Sequence, residues 1–169
     1  ADPERPEVGE SYTYRELYEA VDYWAGAFQR MGLGQGDRIA FFLGNRPEFV
    51  IAYLAVLRAG GVMVPVNLRY RKREINHILH DCGAKLLLTE AAQQPVLDEL
   101  APKDLAAVEK VLLVEEAAAW LGRAEAPKPV VVQGEELAMI MYTSGTTGRS
   151  KGAMITHNNI LATVTGLLA

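Results

Sequence analysis

Residues 38–43 (RIAFFL) decide the fold, because they form a short apolar run between two turn signals. Gly36 and Asp37 precede the run, and Gly44 and Asn45 follow it, which limits it to the length of a strand. A continuous apolar run of this length is typical of a strand that other elements cover. The run therefore predicts a buried β-strand.

Helical patterns lie on both sides of this strand. Before it, Thr13 and Glu16 fit a capping box, in which a hydroxyl and a carboxylate satisfy free N–H groups at a helix start. Apolar residues then recur every three or four positions, which is the period of an amphipathic helix. After the strand, Asn45 and Pro47 predict a second helix start, with the proline at the first helical position, and Gly60 ends that helix.

The same alternation continues along the chain. Further strands are predicted at residues 62–65, 85–89, 110–114, 137–142 and 152–155, and further helices at 72–82, 91–100 and after Thr156. Residues 115–129 are predicted as a surface loop with a short helix around Trp120. Strands separated by helices indicate βαβ units with parallel pairing and right-handed crossovers. The sequence thus predicts an α/β fold, with a mostly parallel sheet and helices on both faces.

The composition limits the classes of protein to consider. With 169 residues, 50% of them hydrophobic, the chain is long enough for one domain with a core. The net charge of −4 gives no support for a nucleic-acid-binding surface, and a single cysteine suits a reducing, cytoplasmic compartment. The longest apolar run, residues 49–57, is far shorter than the roughly 20 residues of a transmembrane helix. The chain starts without Met and stops inside a helical pattern, so we expect a piece of a larger protein.

Residues 142–152 (YTSGTTGRSKG) carry the strongest functional signal. They place hydroxyl groups, glycines and the cation of Lys151 in one loop between two predicted strands. Such a loop offers many donors and little bulk, which is typical of a site for the phosphates of a nucleotide. Two common phosphate-binding patterns do not fit. A Walker A loop would need a glycine in place of Ser150 and a hydroxyl in place of Gly152, and the dinucleotide motif would need a third glycine in register.

Residues 142–157 (YTSGTTGRSKGAMITH) resemble the signature loop of adenylate-forming enzymes. That superfamily includes acyl-CoA synthetases, aryl-CoA ligases, luciferases and peptide-synthetase adenylation domains. The match is complete over residues 142–148 and continues at Lys151 and Gly152. Ser150 departs from it, since many members have proline there, and this should alter loop stiffness more than chemistry. Looser similarity to the N-terminal lobe of the family is present at residues 12–17, 36–40, 57–62 and 65–67.

The resemblance implies a two-step reaction. A carboxylate attacks the α-phosphate of ATP to give an acyl-adenylate and pyrophosphate, and a thiol, usually that of CoA, then takes the acyl group. The implied phosphate contacts are Thr143, Ser144, Gly145, Thr146, Thr147 and Gly148, with positive charge from Lys151. Thr143 is also implied to lie near Mg²⁺. The implied cofactors are ATP and Mg²⁺, with CoA and a carboxylic acid as co-substrates.

The resemblance also implies that residues 1–169 form a flavodoxin-like N-terminal lobe, ending just after the loop. In relatives the adenine pocket, most of the acyl pocket, a magnesium-binding glutamate and a catalytic lysine come later. We therefore expect no catalytic residue in this chain, and an inactive fragment of a parent similar to fatty acid–CoA ligases. An aryl-CoA ligase or a peptide-synthetase adenylation domain is the nearest alternative. A P-loop kinase or ATPase and a non-catalytic, flavodoxin-like nucleotide-binding module are alternatives from other classes.

Three further features have weaker functional interpretations. His77, His80 and Cys82 could bind a metal on one predicted helix, but a solvated helix flank with a core cysteine is the favoured interpretation. The basic cluster at residues 69–73 is interpreted as a solvated helix start, with a partner or a CoA phosphate as the alternative. His157 follows a strand and precedes a helix, and its role stays open.

Overall fold

The computed structural model describes residues 11–123, 125–143 and 149–168, which form a six-stranded sheet flanked by helices. The strands are β1 (Arg38–Phe42), β2 (Val62–Pro65), β3 (Ala84–Thr89), β4 (Lys110–Leu113), β5 (Leu137–Thr143) and β6 (Lys151–Thr156). The helices are α1 (Tyr14–Arg30), α2 (Pro47–Arg58), α3 (Lys72–Cys82), α4 (Gln94–Leu97), α5 (Ala117–Leu121) and α6 (His157–Leu168). Short 3₁₀ segments lie at Ala91–Gln93, Pro102–Leu105 and Val114–Glu116.

The strands are arranged in the order β4-β3-β1-β2-β5-β6. β1 pairs in parallel with β2 and β3, β2 pairs in parallel with β5, and β3 pairs in parallel with β4. β6 is antiparallel to β5, so these two strands form a hairpin around the predicted phosphate loop. The predicted α/β class with a mostly parallel sheet is confirmed. Because parallel strands end at the same edge of a sheet, the carboxyl ends of β1 to β5 share one edge.

Strand β1 lies between two apolar layers, since successive side chains of a strand point to opposite faces. Ile39 and Phe41 belong to the layer formed with α1, α2 and α5, while Ala40 and Phe42 belong to the layer formed with α3. All four side chains are fully buried, at 0% exposure. A strand without a polar face needs cover on both sides, and the crossover helices provide it.

Several predicted helix ends are confirmed, because the capping residues act as the sequence indicates. Thr13 and Glu16 form the capping box of α1, with the Thr13 amide donating to Oε2 of Glu16 at 2.7 Å. Gly83 follows α3 in the left-handed conformation, with φ 60°. The predicted role of Asn45 is wrong. The N-cap residue of α2 is Arg46, and its side chain makes no capping hydrogen bond.

The long helix predicted at residues 91–100 is also wrong. A 3₁₀ segment (Ala91–Gln93) leads into α4, which has four residues. Pro95 lies in the first turn of α4, where the missing N–H of proline is tolerated. Further inside a helix the same residue would remove a hydrogen bond and clash with the preceding turn. The segment therefore starts a new helical turn at the proline instead of running through it.

Residues 115–129 do more than form a surface loop, because the short helix α5 packs into the core. Trp120 meets the ring of Trp24 edge-on at a centroid distance of 5.0 Å, and it stacks on Phe28 at 6.2 Å. Its indole N–H donates to the carbonyl group of Leu113 at 2.8 Å. Trp120 thus helps to join an alanine-rich segment to α1, together with the hydrogen bond from the Tyr23 hydroxyl group to the carbonyl group of Gly122, and the composition of the segment shows neither contact.

Apolar side chains remain exposed at the β6–α6 end of the molecule. They are Met141, Met154, Leu161, Val164 and Leu167, at 43%, 70%, 58%, 48% and 82% exposure. The apolar stripe predicted for α6 is therefore open in the part of the chain that the structure describes. None of the helices in that part, α6 included, is long and apolar enough to cross a membrane.

The packing of α5 predicts different costs for two substitutions of Trp120. Trp120→Ala should lower the free energy of unfolding by about 2–3 kcal/mol, less than for a fully buried ring, because the side chain is partly exposed. Trp120→Phe keeps an aromatic ring and loses the hydrogen bond to Leu113, so it should cost about 1 kcal/mol. Urea unfolding of the purified variants measures both values. Equal costs would contradict a packing role for the ring.

Candidate functional site

The loop predicted to bind phosphate connects β5 to β6 at the carboxyl edge of the sheet. Thr143 is the last residue of β5 and Lys151 the first residue of β6, and the two are paired across the hairpin. Both residues are exposed. Directly opposite residues of an antiparallel pair point to the same face. The side chains of Thr143 and Lys151 therefore leave the hairpin on the same face, at the base of the loop.

Five of the predicted phosphate contacts fall outside the described residues, namely Ser144, Gly145, Thr146, Thr147 and Gly148. Their roles stay predictions. The structure brings together two other predicted residues, Thr143 and Lys151, which lie before and after these five.

Gly152 makes room for the ring of Tyr142 at the base of the loop. The two residues are paired across the hairpin. A Cβ atom on Gly152 would lie 2.7 Å from Cγ2 of Ile140 and 3.2 Å from Cζ of Tyr142. The first distance is shorter than Cβ atoms in folded proteins show, so any other residue at this position would force Ile140 to move. Tyr142 is consequently buried, at 9% exposure, against the layer formed with α3.

The hydroxyl group of Tyr142 binds α3, donating to Oδ2 of Asp81 at 2.5 Å. Burial raises the pKa of Tyr142 far above its ordinary value, and the hydrogen bond to the carboxylate raises it further. The phenol therefore stays protonated and remains a donor to Asp81. The strand that enters the loop is thus fastened to α3.

Helix α3 also contacts the other end of the loop, through His77. Nε2 of His77 lies 2.9 Å from the carbonyl oxygen of Ser150, the residue before β6. Because a carbonyl oxygen can only accept, Nε2 carries the proton in this contact. The imidazole also meets the Tyr142 ring edge-on, at a centroid distance of 6.2 Å.

These two contacts are not among the predictions from the sequence, although the sequence contains one signal for them. His77 and Asp81 are four residues apart, so they share a face of α3. A polar face next to the apolar stripe of the helix was interpreted as a solvated flank. The periodicity of α3 shows that this face exists, but not that the hairpin lies against it.

A cleft of about 280 Å³ opens between α3 and the end of the loop. Its lining consists of Arg73, Glu74, Asn76, His77, His80, Arg149 and Ser150. No large apolar side chain lies in that lining, so the end of the loop is held to α3 by polar contacts. Elsewhere in the basic cluster, Arg71 binds the carbonyl groups of Leu68 and Tyr70 at 3.2 and 3.0 Å, as suits a helix start.

The other candidate ligands are engaged within the fold. Nδ1 of His80 lies 2.9 Å from the carbonyl oxygen of Asn76, one turn earlier on α3. Cys82 is buried in the core, as predicted, and burial raises the pKa of its thiol to about 11. The backbone N–H of His157, at the start of α6, donates to the carbonyl group of Glu136 at 3.1 Å. Among the described residues, no three His, Cys, Asp or Glu side chains are grouped to hold a metal ion.

An ion-pair network occupies the other half of the carboxyl edge. Arg46, after β1, contacts Glu48 at 2.9 Å, Glu90 at 3.3 Å and Glu115 at 2.7 Å. Glu90 follows β3 and Glu115 follows β4, so one guanidinium group joins the loops after three strands. Burial of Glu48 and Glu115 works to raise their pKa values, but the hydrogen bonds from Arg46 prevail and lower them below the ordinary value.

This network bears on where a nucleotide could bind. In open parallel sheets, ligands usually lie where successive crossovers leave in opposite directions, which here is between β1 and β3. Arg46 and its three carboxylates stand at that position. These four side chains together carry a net negative charge, so they would repel a phosphate group. The usual flavodoxin-like nucleotide site is therefore disfavoured, and the hairpin loop stays the candidate.

Comparison with known proteins identifies the family. Residues 2–168 match the AMP-binding enzyme family. A crotonobetaine/carnitine–CoA ligase of Escherichia coli is 30% identical over 161 residues, which is 88% of this chain and 31% of that protein. A 3-hydroxybenzoate–CoA/4-hydroxybenzoate–CoA ligase of Thauera aromatica is 33% identical over 160 residues, again 31% of that protein and 89% of this chain.

Solved structures agree with the sequence relatives. ATP-bound MatB from Rhodopseudomonas palustris superposes with a TM-score of 0.81 at 32% identity, covering 95% of this chain and 32% of that one. A long-chain-fatty-acid–CoA ligase from Archaeoglobus fulgidus gives a TM-score of 0.82 at 30% identity, covering 99% of this chain and 34% of that one.

The chain therefore belongs to the AMP-binding enzyme family. It corresponds to an N-terminal portion of an adenylate-forming, acyl-CoA synthetase-like enzyme, as the resemblance of its loop indicates. It spans about 31% of the length of the curated relatives named above.

The network around Arg46 predicts a pH-dependent stability. Glu48 and Glu115 have lower pKa values in the folded chain than the ordinary 4.5, so their ion pairs stabilise the fold above that pH and lose their effect below it. Arg46→Met should lower the free energy of unfolding by roughly 2 kcal/mol at pH 7, and by much less at pH 3.

Arg58→Met is the matched control for this prediction. Arg58 binds one carboxylate, that of Asp22, at 2.9 Å, and 43% of its side chain is exposed. Its removal should cost about 0.5 kcal/mol at pH 7. Urea unfolding at a series of pH values compares the two variants. A loss for Arg46→Met that does not change with pH would contradict the role of the carboxylates.

Proposed function

We propose that the parent protein of this chain is an ATP-dependent carboxylate–CoA ligase. A carboxylate oxygen of the substrate bonds to the α-phosphorus of ATP as pyrophosphate leaves, and the acyl group then passes from AMP to the sulfur of CoA. The named relatives, which are CoA ligases, support this class. The observation that carries the proposal is the hairpin, in which Thr143 and Lys151 pair at the base of a loop with the family's sequence.

The role of the loop in this reaction is to bind and orient ATP. At about 4 Å from a phosphate charge, and with an effective dielectric constant near 20, the ammonium group of Lys151 would contribute about 4 kcal/mol before desolvation. Each N–H or hydroxyl group of residues 143–148 that binds a phosphate would add about 1.5–3 kcal/mol. Together these neutral donors outweigh the lysine, which suits a reaction that depends on positioning.

Thr143 is suited to a contact with Mg²⁺. Its side chain is an oxygen ligand, and it is exposed beside Lys151 at the carboxyl edge. Mg²⁺ keeps several waters and takes few protein ligands when it binds nucleotide phosphates, so a single hydroxyl group fits its needs. The bound ion would neutralise charge on the β- and γ-phosphates.

Residues 1–169 are, in this proposal, one lobe of a larger adenylation domain. Apolar side chains at the β6–α6 end, such as Leu161 and Leu167, are 58% and 82% exposed. An apolar patch of this kind marks an interface. Further elements of the parent would cover it and would supply the adenine pocket, the acyl pocket and the catalytic groups. The isolated chain should therefore not complete adenylation.

The acid substrate is proposed to be a fatty or related acyl acid. The amino-acid sequence of residues 142–159 resembles the corresponding sequence of fatty acyl and related CoA ligases. The relatives named above include ligases for carnitine-type and hydroxybenzoate substrates, so the family itself admits several acids. Selectivity follows the shape of the acyl pocket.

ATP–pyrophosphate exchange by the full-length parent, against fatty, aryl and amino acids, tests the function. The double variant Thr146→Ala/Thr147→Ala should lower kcat/KM for ATP at least tenfold, because it removes two hydroxyl donors to a charged group. The order of preference among the acids should stay the same, because the loop does not line the acyl pocket.

Thr163→Ala/Thr165→Ala is the matched control. Both hydroxyl groups bind backbone carbonyls within α6, at 2.9 Å, and exchange should be unchanged. Exchange confined to aryl or amino acids would favour the aryl-CoA ligase or peptide-synthetase alternative. ATP turnover without any acid would favour a kinase or ATPase. Activity that is indifferent to the loop variant, or exchange by residues 1–169 alone, would contradict the proposal.

A further inference from the structure

Helix α3 contacts the chain immediately before and after the phosphate loop. Before the loop, Asp81 accepts a hydrogen bond from the hydroxyl group of Tyr142. After it, His77 lies 2.9 Å from the carbonyl oxygen of Ser150. We propose that His77 and Asp81 are positioning residues, which fix the two ends of the loop and thereby set its affinity for the phosphates of ATP. This inference rests on the proposed function of the loop.

The sheet supports the hairpin from one side, through the parallel pairing of β2 with β5. Among the described residues, the register of β2 and β5 is carried by the pair Met63 and Met139. β2 ends at Pro65, which has no N–H group to donate to a neighbouring strand. The next strand, β6, pairs with β5 and is the last strand of the sheet. In this register β2 runs beside β5 as far as residue 141, so Tyr142 and Thr143 extend beyond its end and can be held by contacts other than strand pairing.

The two contacts on α3 form one packed unit. His77 and Asp81 are one helical turn apart, and the Tyr142 ring lies edge-on to the imidazole at 6.2 Å. Tyr142 is buried and Gly152 leaves space for its ring. A shift of either loop end would break a hydrogen bond and disturb the aromatic contact. The helix thus holds the entering and the leaving strand in one arrangement.

The contact of His77 requires a donor, because its partner is a carbonyl oxygen. Leucine fills the space of the imidazole and cannot donate. Glutamine carries an amide N–H₂ group at a similar distance from the backbone and can. His80 lies one turn from His77 on the same helix, but its Nδ1 contacts Asn76 of α3 itself. His77→Leu therefore removes the donor, His77→Gln restores a donor, and His80→Leu is the matched control.

The test uses the full-length parent with His77→Leu, His77→Gln and His80→Leu. Loss of one hydrogen bond corresponds to roughly a three- to tenfold change, so His77→Leu should raise KM for ATP by that factor. KM for the acid should stay unchanged. His77→Gln should restore KM for ATP to within about twofold of the wild type, and His80→Leu should leave it unchanged. Tyr142→Phe, which keeps the ring and removes the bond to Asp81, should also raise KM for ATP.

Hydrogen–deuterium exchange of the peptide spanning residues 143–152, without ATP, gives a readout that does not depend on activity. Exchange should be faster in His77→Leu and Tyr142→Phe than in the wild type, and unchanged in His80→Leu. If the wild type shows no acid-dependent exchange of pyrophosphate, the proposed function fails. The comparison of amide exchange among the variants still tests whether His77 and Asp81 fix the ends of the loop.

Two results would overturn the inference itself. One is an unchanged KM for ATP and unchanged amide exchange in both His77→Leu and Tyr142→Phe. The other is an equal effect of His77→Leu and His80→Leu, which would assign the change to the helix as a whole. If His77→Leu does not fold, Tyr142→Phe takes its place, and an effect equal to that of His80→Leu, or no effect, overturns the inference.

Discussion

The structure depends on the burial of β1 on both of its faces. Ile39 and Phe41 on one side, and Ala40 and Phe42 on the other, have no exposed surface. Helices must therefore cover both sides of the sheet, and helices that connect neighbouring strands in this way make those strands parallel. Parallel strands bring their carboxyl ends, and the loops that follow them, to one edge. The position of the candidate site is thus a consequence of an apolar run that carries no chemistry of its own.

Electrostatics then divides that edge into two regions. Around β1, β3 and β4 the loops are joined by Arg46, whose single positive charge faces the carboxylates of Glu48, Glu90 and Glu115. At the β5–β6 hairpin, Lys151 is exposed beside Thr143. A charge pair at 4 Å is worth about 4 kcal/mol at an effective dielectric constant near 20, so the sign of the local charge decides where an anion binds. The first region carries ion pairs that join three loops, and the second carries the exposed cation of the candidate site.

The strands, the hairpin and most helix ends could be predicted from the sequence because they depend on local signals. The apolar run before Gly44, the capping box at Thr13 and the glycine at position 83 each act within a few residues. The contacts of Trp120 with α1, and of His77 and Asp81 with the hairpin, join segments far apart in the chain. The spacing of residues along a helix shows which side chains share a face, but it does not show which element packs against that face. The same limit explains why α3 was interpreted as a solvated flank.

Thr143 and Lys151, which flank the candidate phosphate loop, are paired across the hairpin. Pairing between β5 and β6 keeps the two ends of this loop together, but it does not fix the hairpin relative to the rest of the sheet. Met154, Leu161, Val164 and Leu167 of β6 and α6 do not fix it either, since these side chains are exposed. The pairing of β5 with β2 joins the hairpin to the sheet, and the buried Tyr142, its hydrogen bond to Asp81 and the contact of His77 with Ser150 join it to α3. Within this lobe, α3 therefore contacts the chain on both sides of the loop, at Tyr142 and at Ser150.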